Sequence, residues 1–291
     1  MAVELNHGRL PDFLGVGPPR TATSWLDAVL RGHVGLPRDI KEVDFFVSNY
    51  GRGRAWYSSY FSDCDPHLPV GEICPTYFGS VAARERIAEL IPRCRIICTF
   101  RDPVEMIYSF YKLAQRNAWT RTRDLESYVP EEWGRLARRL GEWRASFGNE
   151  NVLSCIYDDL EADAQRYLDP ICDFIGINRI AIADSVIATR RINAFTHGPR
   201  NPRLARRARK LRHRLETQGA YGTIRLLTCL GFWRFCFEGG SEFEPLDVQV
   251  EARLRQRFIP EIEELEELIH RDLSAWKSPH ARVGAPTRAQ T

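Results

Sequence analysis

The run Arg95-Ile96-Ile97-Cys98-Thr99-Phe100, closed on either side by Pro92 and Pro103, constrains this chain more than any other segment. It is short, apolar and rich in β-branched side chains, which specifies a strand buried on both faces. Such a strand belongs in a parallel sheet with helices above and below it. The neighbouring segments repeat the theme. Phe13–Gly17 reads as a buried strand leading through a turn into a helix over Thr23–Arg31, and Val70–Cys74 as a strand before a helix over Val81–Ile91. A helix opens at Pro103, where proline is tolerated in the first turn. A helix over Glu131–Phe147, a strand over Asn151–Tyr157 and a helical stretch over Asp159–Ile175, interrupted by Pro170, follow. Strand–helix alternation of this kind defines an α/β fold with a parallel central sheet flanked by helices on both faces.

Two later regions differ. Between Ile192 and Gly240, seven cations (Arg203, Arg206, Arg207, Arg209, Lys210, Arg212 and Arg214) crowd a helical pattern, with Leu204, Ala208, Leu211 and Leu215 at core-facing spacing. The simple reading is a solvated basic helix packed through its leucines. The sharper one is a lid that attracts an acidic acceptor or a membrane surface. A last helix over Pro245–Leu273 places Leu254, Phe258, Ile262, Leu265, Leu268 and Ile269 on one stripe. The expected organisation is one domain over 1–276, with a basic helical insertion at about 192–242 on the acceptor side and a tail over 277–291 lacking periodic apolar residues.

The net charge of +3 suits an anionic ligand without arguing for nucleic acid. Residues 1–12 lack the apolar run of a signal peptide, and the most apolar later stretch, Ile224–Phe237, is too short to span a bilayer and contains two arginines. Eight cysteines without a CxxC pair point to reduced structural thiols and a cytoplasmic setting. No cluster with metal-ligand spacing stands out.

Chemistry concentrates in two turns. After the first strand comes Pro18-Pro19-Arg20-Thr21-Ala22-Thr23-Ser24-Trp25-Leu26. A strand, tight turn and helix start present backbone N–H groups and the positive end of the helix dipole to an anion. Arg20 adds a fixed cation, Thr21, Thr23 and Ser24 add hydroxyls, and small Ala22 permits close approach. Helix capping by Thr23 and Ser24 accounts for the hydroxyls but leaves Pro-Pro-Arg without a purpose. A nucleoside-triphosphatase P-loop requires a Gly-Lys pair, which is absent here. In the second turn the strand ending at Phe100 delivers Arg101, and Ser109 follows two helical turns later. One guanidinium and one hydroxyl can grip a second phosphate; the simpler alternative is a surface pair between Arg101 and Asp102.

These strings resemble the sulfotransferases that use 3′-phosphoadenosine-5′-phosphosulfate (PAPS). Residues 19–26 resemble that family's 5′-phosphosulfate loop, Pro-Lys/Arg-x-Gly-Thr-Thr-x-Leu, with Ala22 replacing Gly and Ser24 replacing Thr. Residues 101–111 resemble its 3′-phosphate motif, Arg-Asp-Pro-x-x-x-x-x-Ser-x-Tyr. Lys41-Glu42-Val43-Asp44-Phe45-Phe46, Trp56-Tyr57, and Gly71-Glu72-Ile73-Cys74-Pro75-Thr76-Tyr77 resemble segments of the heparan sulfate-type and bacterial members. Tyr157-Asp158-Asp159-Leu160 and the ending Leu273-Ser274-Ala275-Trp276 match later family segments. The stretch over about 198–242 has no counterpart.

The resemblance implies a P-loop-like sheet and an enzyme that moves a sulfuryl group from PAPS to a hydroxyl, releasing PAP, without a metal or nucleic acid. It implies that Pro19, Arg20, Thr21, Ala22, Thr23, Ser24, Trp25, Arg101, Ser109 and Tyr157 bind the nucleotide. Glu42 would be the general base and Arg20 would stabilise the leaving oxygen, with Glu72 as second candidate base. Lys41, Phe45, Phe46, Glu72 and Tyr77 would line the acceptor side; His33 and His67 match no family histidine. Heparan sulfate-type members carry Lys where this chain has Ile73, which leans the acceptor toward a small or carrier-bound metabolite and away from a glycan. A P-loop kinase and a non-catalytic PAP-binding protein are the alternatives from other classes.

Overall fold

The computed structural model describes residues 8–120, 122, 124–129, 135–182 and 197–278. In chain order these form β1 (Phe13–Gly17), α1 (Thr23–Leu30), α2 (Arg54–Ser58), β2 (Gly71–Ile73), α3 (Val81–Leu90), β3 (Arg95–Phe100), α4 (Pro103–Arg116), α5 (Leu136–Phe147), β4 (Val152–Ile156), α6 (Tyr157–Ala162) and α7 (Ala164–Ile175). Then follow β5 (His197–Pro199), α8 (Pro202–Thr217), α9 (Tyr221–Cys229), α10 (Phe232–Phe237), β6 (Gly239–Glu242) and α11 (Val248–Ile269).

Four strands make a parallel sheet in the order β2-β1-β3-β4, with Phe13 opposite both Gly71 and Arg95, and Ile96 opposite Val152. Side chains alternate between the sheet's faces. One face carries Leu14, Val16, Ile96, Cys98 and Phe100 against α3, α4, α5 and α11. The other carries Phe13, Ile73 and Ile97 against α1 and α7. A Cβ on Gly71 would fall 2.3 Å from the Phe13 ring, so the β1–β2 pairing needs glycine there. All eight cysteines are free thiols.

Where the chain departs from its sequence pattern, local chemistry explains it. The helical stretch over 157–175 breaks at Asp163, not at Pro170. Asp163 caps α7 by accepting hydrogen bonds from the N–H groups of Gln165 and Arg166, and Pro170 lies inside α7. The last helix opens at Val248, capped by Asp247, not at Pro245. The helix expected from Glu131 is described from Leu136; residues 131–134 lie outside the described residues. Lys277, expected in the tail, ends a short 3-10 helix over Ser274–Lys277 and donates to Glu266; positions 279–291 lie outside the described residues.

Helices α8–α10 and the antiparallel pair β5–β6 form a separate region beside the sheet. Its small core is Ala205, Ala208, Trp233, Cys236 and Phe237. Of the expected stripe, Ala208 is buried and Leu204 packs against this core, whereas Leu211 stands in solvent and Ala205, outside the stripe, is buried in its stead. The bulk of Trp233 and Phe237 fills the space that small residues leave. Positions 192–196 lie outside the described residues. Among the described residues, no helix is long and apolar enough to cross a membrane.

Candidate active site

β1 ends at Gly17, which has φ +93° and whose backbone lies so close to Pro75 that a Cβ would fall 2.7 Å away. The turn after it is held from below. Thr21 is buried, and its hydroxyl donates to the carbonyl of Pro18 at 2.6 Å and sits 2.5 Å from the Thr99 hydroxyl on β3. The Thr21 hydroxyl therefore faces the sheet and not the cleft, a correction to its expected part as a ligand donor. Arg20 and Ala22 both have φ 69°, in the left-handed region. Alternation of this kind turns successive N–H groups to one side, as in an anion-binding nest. The N-cap of α1 is Ala22, which has no side-chain group to cap with. Thr23 and Ser24 lie in the first turn and are not the N-cap.

The second turn is built from the opposite direction. Asp102 does not form a surface pair with Arg101. It turns inward, caps α4 through the N–H groups of Val104 and Glu105, and meets Arg255 of α11 at 2.7 Å, with both side chains 2% exposed. Arg255 also holds Glu251 and the carbonyl of Trp276, whose indole N–H donates to Asp158. With Asp102 directed into the core, Arg101 points the other way. It stacks over the Tyr157 ring at 4.3 Å and pairs with Glu105 at 2.6 Å.

The two turns meet. Arg20 Nε donates to Ser109 Oγ at 2.9 Å, joining groups 89 positions apart. Burial, then the neighbouring Arg101, hold the Arg20 guanidinium down to about 10. Burial, then Arg101 and Arg20, also depress the Lys112 ammonium, and Arg116 adds to the field on Arg20. Lys112 and Arg116 were not singled out from sequence, although they lie three and seven positions after Ser109 and so share its face of α4. Arg20, Arg101, Lys112 and Arg116 thus gather despite their mutual repulsion, a field suited to a multiply charged anion.

Lys41 joins the acceptor side to the first turn. Its ammonium donates to Glu42 at 2.8 Å and to the Thr23 hydroxyl at 3.4 Å, and Glu42 is partly exposed. The other residues expected there are interior. Phe45 and Phe46 are buried, Phe45 stacking on Tyr57 at 4.3 Å. Tyr77 is buried, and its hydroxyl donates to Glu72. Glu72 has no exposed surface and accepts from the N–H groups of Val43 and Asp44 at 2.7 and 3.0 Å and from the Tyr57 hydroxyl at 2.6 Å. Burial lifts its carboxyl to about 7, against the pull of those hydrogen bonds. Glu72 thus pins the backbone just after Glu42 and is closed to an acceptor. Trp25 likewise packs inward, edge-on to Tyr167. Ile73 lies in the apolar layer beneath α1. Among the described residues no group of three or more His, Cys, Asp or Glu could hold a metal ion.

The two arginine-bearing turns lie at the carboxyl ends of β1 and β3 of a parallel sheet, the place where open α/β sheets receive their ligands. More narrowly, a model of the sulfotransferase family matches residues 53–180, which include the second turn and not the first. A bifunctional heparan sulfate N-deacetylase/N-sulfotransferase 3 of Homo sapiens is 36% identical over 197 residues, covering 58% of this chain and 22% of that protein. The corresponding enzyme 4 of Mus musculus is 28% identical over 196 residues with the same shares. The chain therefore spans about a fifth of the length of these relatives. A crystal structure of a sulfotransferase from Alicyclobacillus acidocaldarius superposes with a TM-score of 0.63 at 19% identity, covering 93% of this chain and all of that one, which shows the shared fold. Over residues 53–180 the chain is thus similar to the sulfotransferase family.

Proposed function

We propose that this chain transfers the sulfuryl group of PAPS to a hydroxyl acceptor. The observation that carries the reading is the Arg20–Ser109 hydrogen bond, which brings the two anion-binding turns into one cleft. A nucleotide with separate 5′ and 3′ anions needs two such turns, and ATP does not. The 5′-phosphosulfate lies on the nest at 20–24 and the 3′-phosphate on Arg101 and Ser109, with Tyr157 beneath the Arg101 plane.

In the reaction the acceptor oxygen forms a bond to sulfur as the bond from sulfur to the bridging phosphate oxygen breaks, in line through a loose transition state. The acceptor proton passes to the Glu42 carboxylate, and PAP leaves. Charge gathers on the bridging oxygen, where the Arg20 guanidinium offsets it. Lys41 keeps Glu42 beside the donor loop by holding both Glu42 and Thr23. Positioning and charge compensation supply most of the rate in such transfers.

The names of the relatives, heparan sulfate N-sulfotransferases, support a saccharide as the acceptor molecule, while the hydroxyl as the accepting group rests on the family resemblance alone. The lean toward a small metabolite rested on Ile73 and on the lack of a signal-peptide run; the relatives' names weigh against it. Thermal denaturation with PAP, with ATP and Mg²⁺, and without ligand tests the donor assignment, because a ligand that binds the native state raises its stability. Stabilisation by PAP alone is expected; stabilisation by ATP alone would replace the reading with a kinase. Turnover of PAPS with candidate saccharides, read by mass spectrometry, separates catalysis from mere PAP binding.

A further inference from the structure

The region formed by residues 197–242 has a surface unlike the rest of the molecule. It carries ten Lys and Arg against three Asp and Glu, a surplus of seven in a chain whose total is +3, which leaves the remainder at −4. On α8 the buried side is Ala205 and Ala208. Diametrically opposite, at helical spacing, stand Arg203, Arg207, Lys210 and Arg214, all exposed. Among the described residues no carboxylate pairs with any of these four.

The same region leaves large apolar side chains in solvent. Leu226 is 59% exposed, Leu230 72%, Phe235 70% and Leu211 41%. Leu226 and Leu230 lie one turn apart and so share a face. Leu211 sits between Arg207 and Arg214 on successive turns of α8, and Leu226 and Phe235 follow Arg225 and Arg234, which pair with Asp39 and Glu238. Folding does not explain this pattern, since the core of the region is complete without these residues.

We propose that the α8–α10 region docks on an anionic lipid bilayer, its cations on the headgroups and Leu226, Leu230 and Phe235 entering the interface. Charge selects an anionic partner, because clustered Lys and Arg are drawn to acidic leaflets. The exposed leucines and phenylalanine select lipid over nucleic acid or an acidic polysaccharide, neither of which offers an apolar phase to receive them. The region is tied to the cleft from two sides. Arg116 and Tyr108 of α4 donate to Glu238 and to the Glu244 carbonyl, and Arg225 pairs with Asp39, just before Lys41 and Glu42. A molecule docked in this way holds the mouth of its cleft beside the bilayer. The inference does not depend on the donor or acceptor assigned above.

Co-sedimentation of the full chain with vesicles of phosphatidylcholine, with and without about a third phosphatidylglycerol, provides the test. Partition onto the anionic vesicles is expected to exceed that onto neutral ones at least ~10-fold and to collapse as salt rises from about 0.1 to about 0.5 M. The triple variant Leu226→Ser, Leu230→Ser, Phe235→Ser and, separately, Arg207→Glu with Arg214→Glu should each lose about 10-fold in partition while PAP binding by calorimetry is kept. Should the triple variant fail to fold, the charge variant, confined to an exposed helix face, decides alone. Equal partition onto both vesicle types, or none, overturns the proposal. So does an unchanged triple variant whose parent binds heparin or DNA in place of vesicles. Light scattering that shows a dimer broken by the same substitutions would assign the surface to a second copy of the chain and also overturn it.

Discussion

The donor turns and the α8–α10 region are both rich in arginine, yet the two use it in opposite ways. Around the turns, cations are fixed by named partners: Arg255 by buried Asp102 and Glu251, Arg101 by Glu105 and the Tyr157 face, Arg20 by Ser109. On α8, Arg203, Arg207, Lys210 and Arg214 are left to solvent, over a core whose helix-side members are alanines. The first arrangement pre-shapes a site for one ligand and tolerates little change. The second provides field and area without fixed geometry, and suits partners that are themselves soft or extended.

That contrast can be broken from the donor side by substitutions whose effects differ in size and in readout. Glu42→Gln should lower kcat by ~10²–10⁴-fold with PAP affinity unchanged, the span typical of a positioned base. Steady-state kinetics and calorimetry on the same sample check this, and full turnover would move the base elsewhere. Arg255→Ala should cost about 3–5 kcal/mol of stability by leaving Asp102 buried and unpaired; urea denaturation measures it. Charge reversal at Arg207, on the other region, should leave stability nearly untouched, and a comparable loss there would erase the distinction between the two regions.

The next effect is a slope in pH. Because burial raises the Glu72 carboxyl from 4.5 to about 7, the folded chain keeps a proton that the unfolded chain has released between those values. Stability attributable to Glu72 is therefore complete below about pH 4.5 and falls as pH rises through 7, by up to about 3 kcal/mol. Denaturation midpoints of the parent should show this decline and those of Glu72→Gln should not; parallel profiles would count against it. Arg20→Ala and Arg101→Ala should each weaken PAP binding by about 10- to 100-fold, the worth of a charge-assisted hydrogen bond. Unchanged calorimetric affinity in both would dissolve the two-turn site. Smallest of all, Ala22→Gly should stabilise the chain by about 1 kcal/mol, since Ala22 occupies a left-handed position that glycine adopts without strain; a thermal melt resolves that shift.

Much of this was legible before any coordinates. β3 and its Arg101-Asp102-Pro103 exit form one contiguous string, and local pattern suffices to read such strings. The loop at 18–26 was legible for the same reason. What escaped was the set of contacts made across the fold. Nothing near Asp102 announces Arg255, 153 positions away, so the pair Arg101–Asp102 looked like neighbours in solvent. Glu72 looked like a second candidate base because it lies in Gly71–Tyr77, a segment that resembles the family's Gly-Glu-x-x-Pro. Strand alternation decides which way it points, and with only three residues in β2 the sequence does not fix that parity. Phe45, Phe46 and Tyr77 looked like a platform for an acceptor, whereas they wedge the Glu42 loop against the sheet from inside. The leucines of α8 misled because apolar periodicity identifies a helix more surely than it identifies which stripe is covered.

The contact between Trp276 and Arg255 carries a consequence for how the protein is made. The carbonyl of Trp276 is among the groups that hold Arg255, and Arg255 in turn holds the aspartate that caps α4. A ribosome therefore delivers the turn and helix start at 101–109 long before the piece that locks it. The half-grown chain has its sheet but not its latch, and a product cut short before position 276 would carry every residue of the donor cleft without the strut that keeps it in shape.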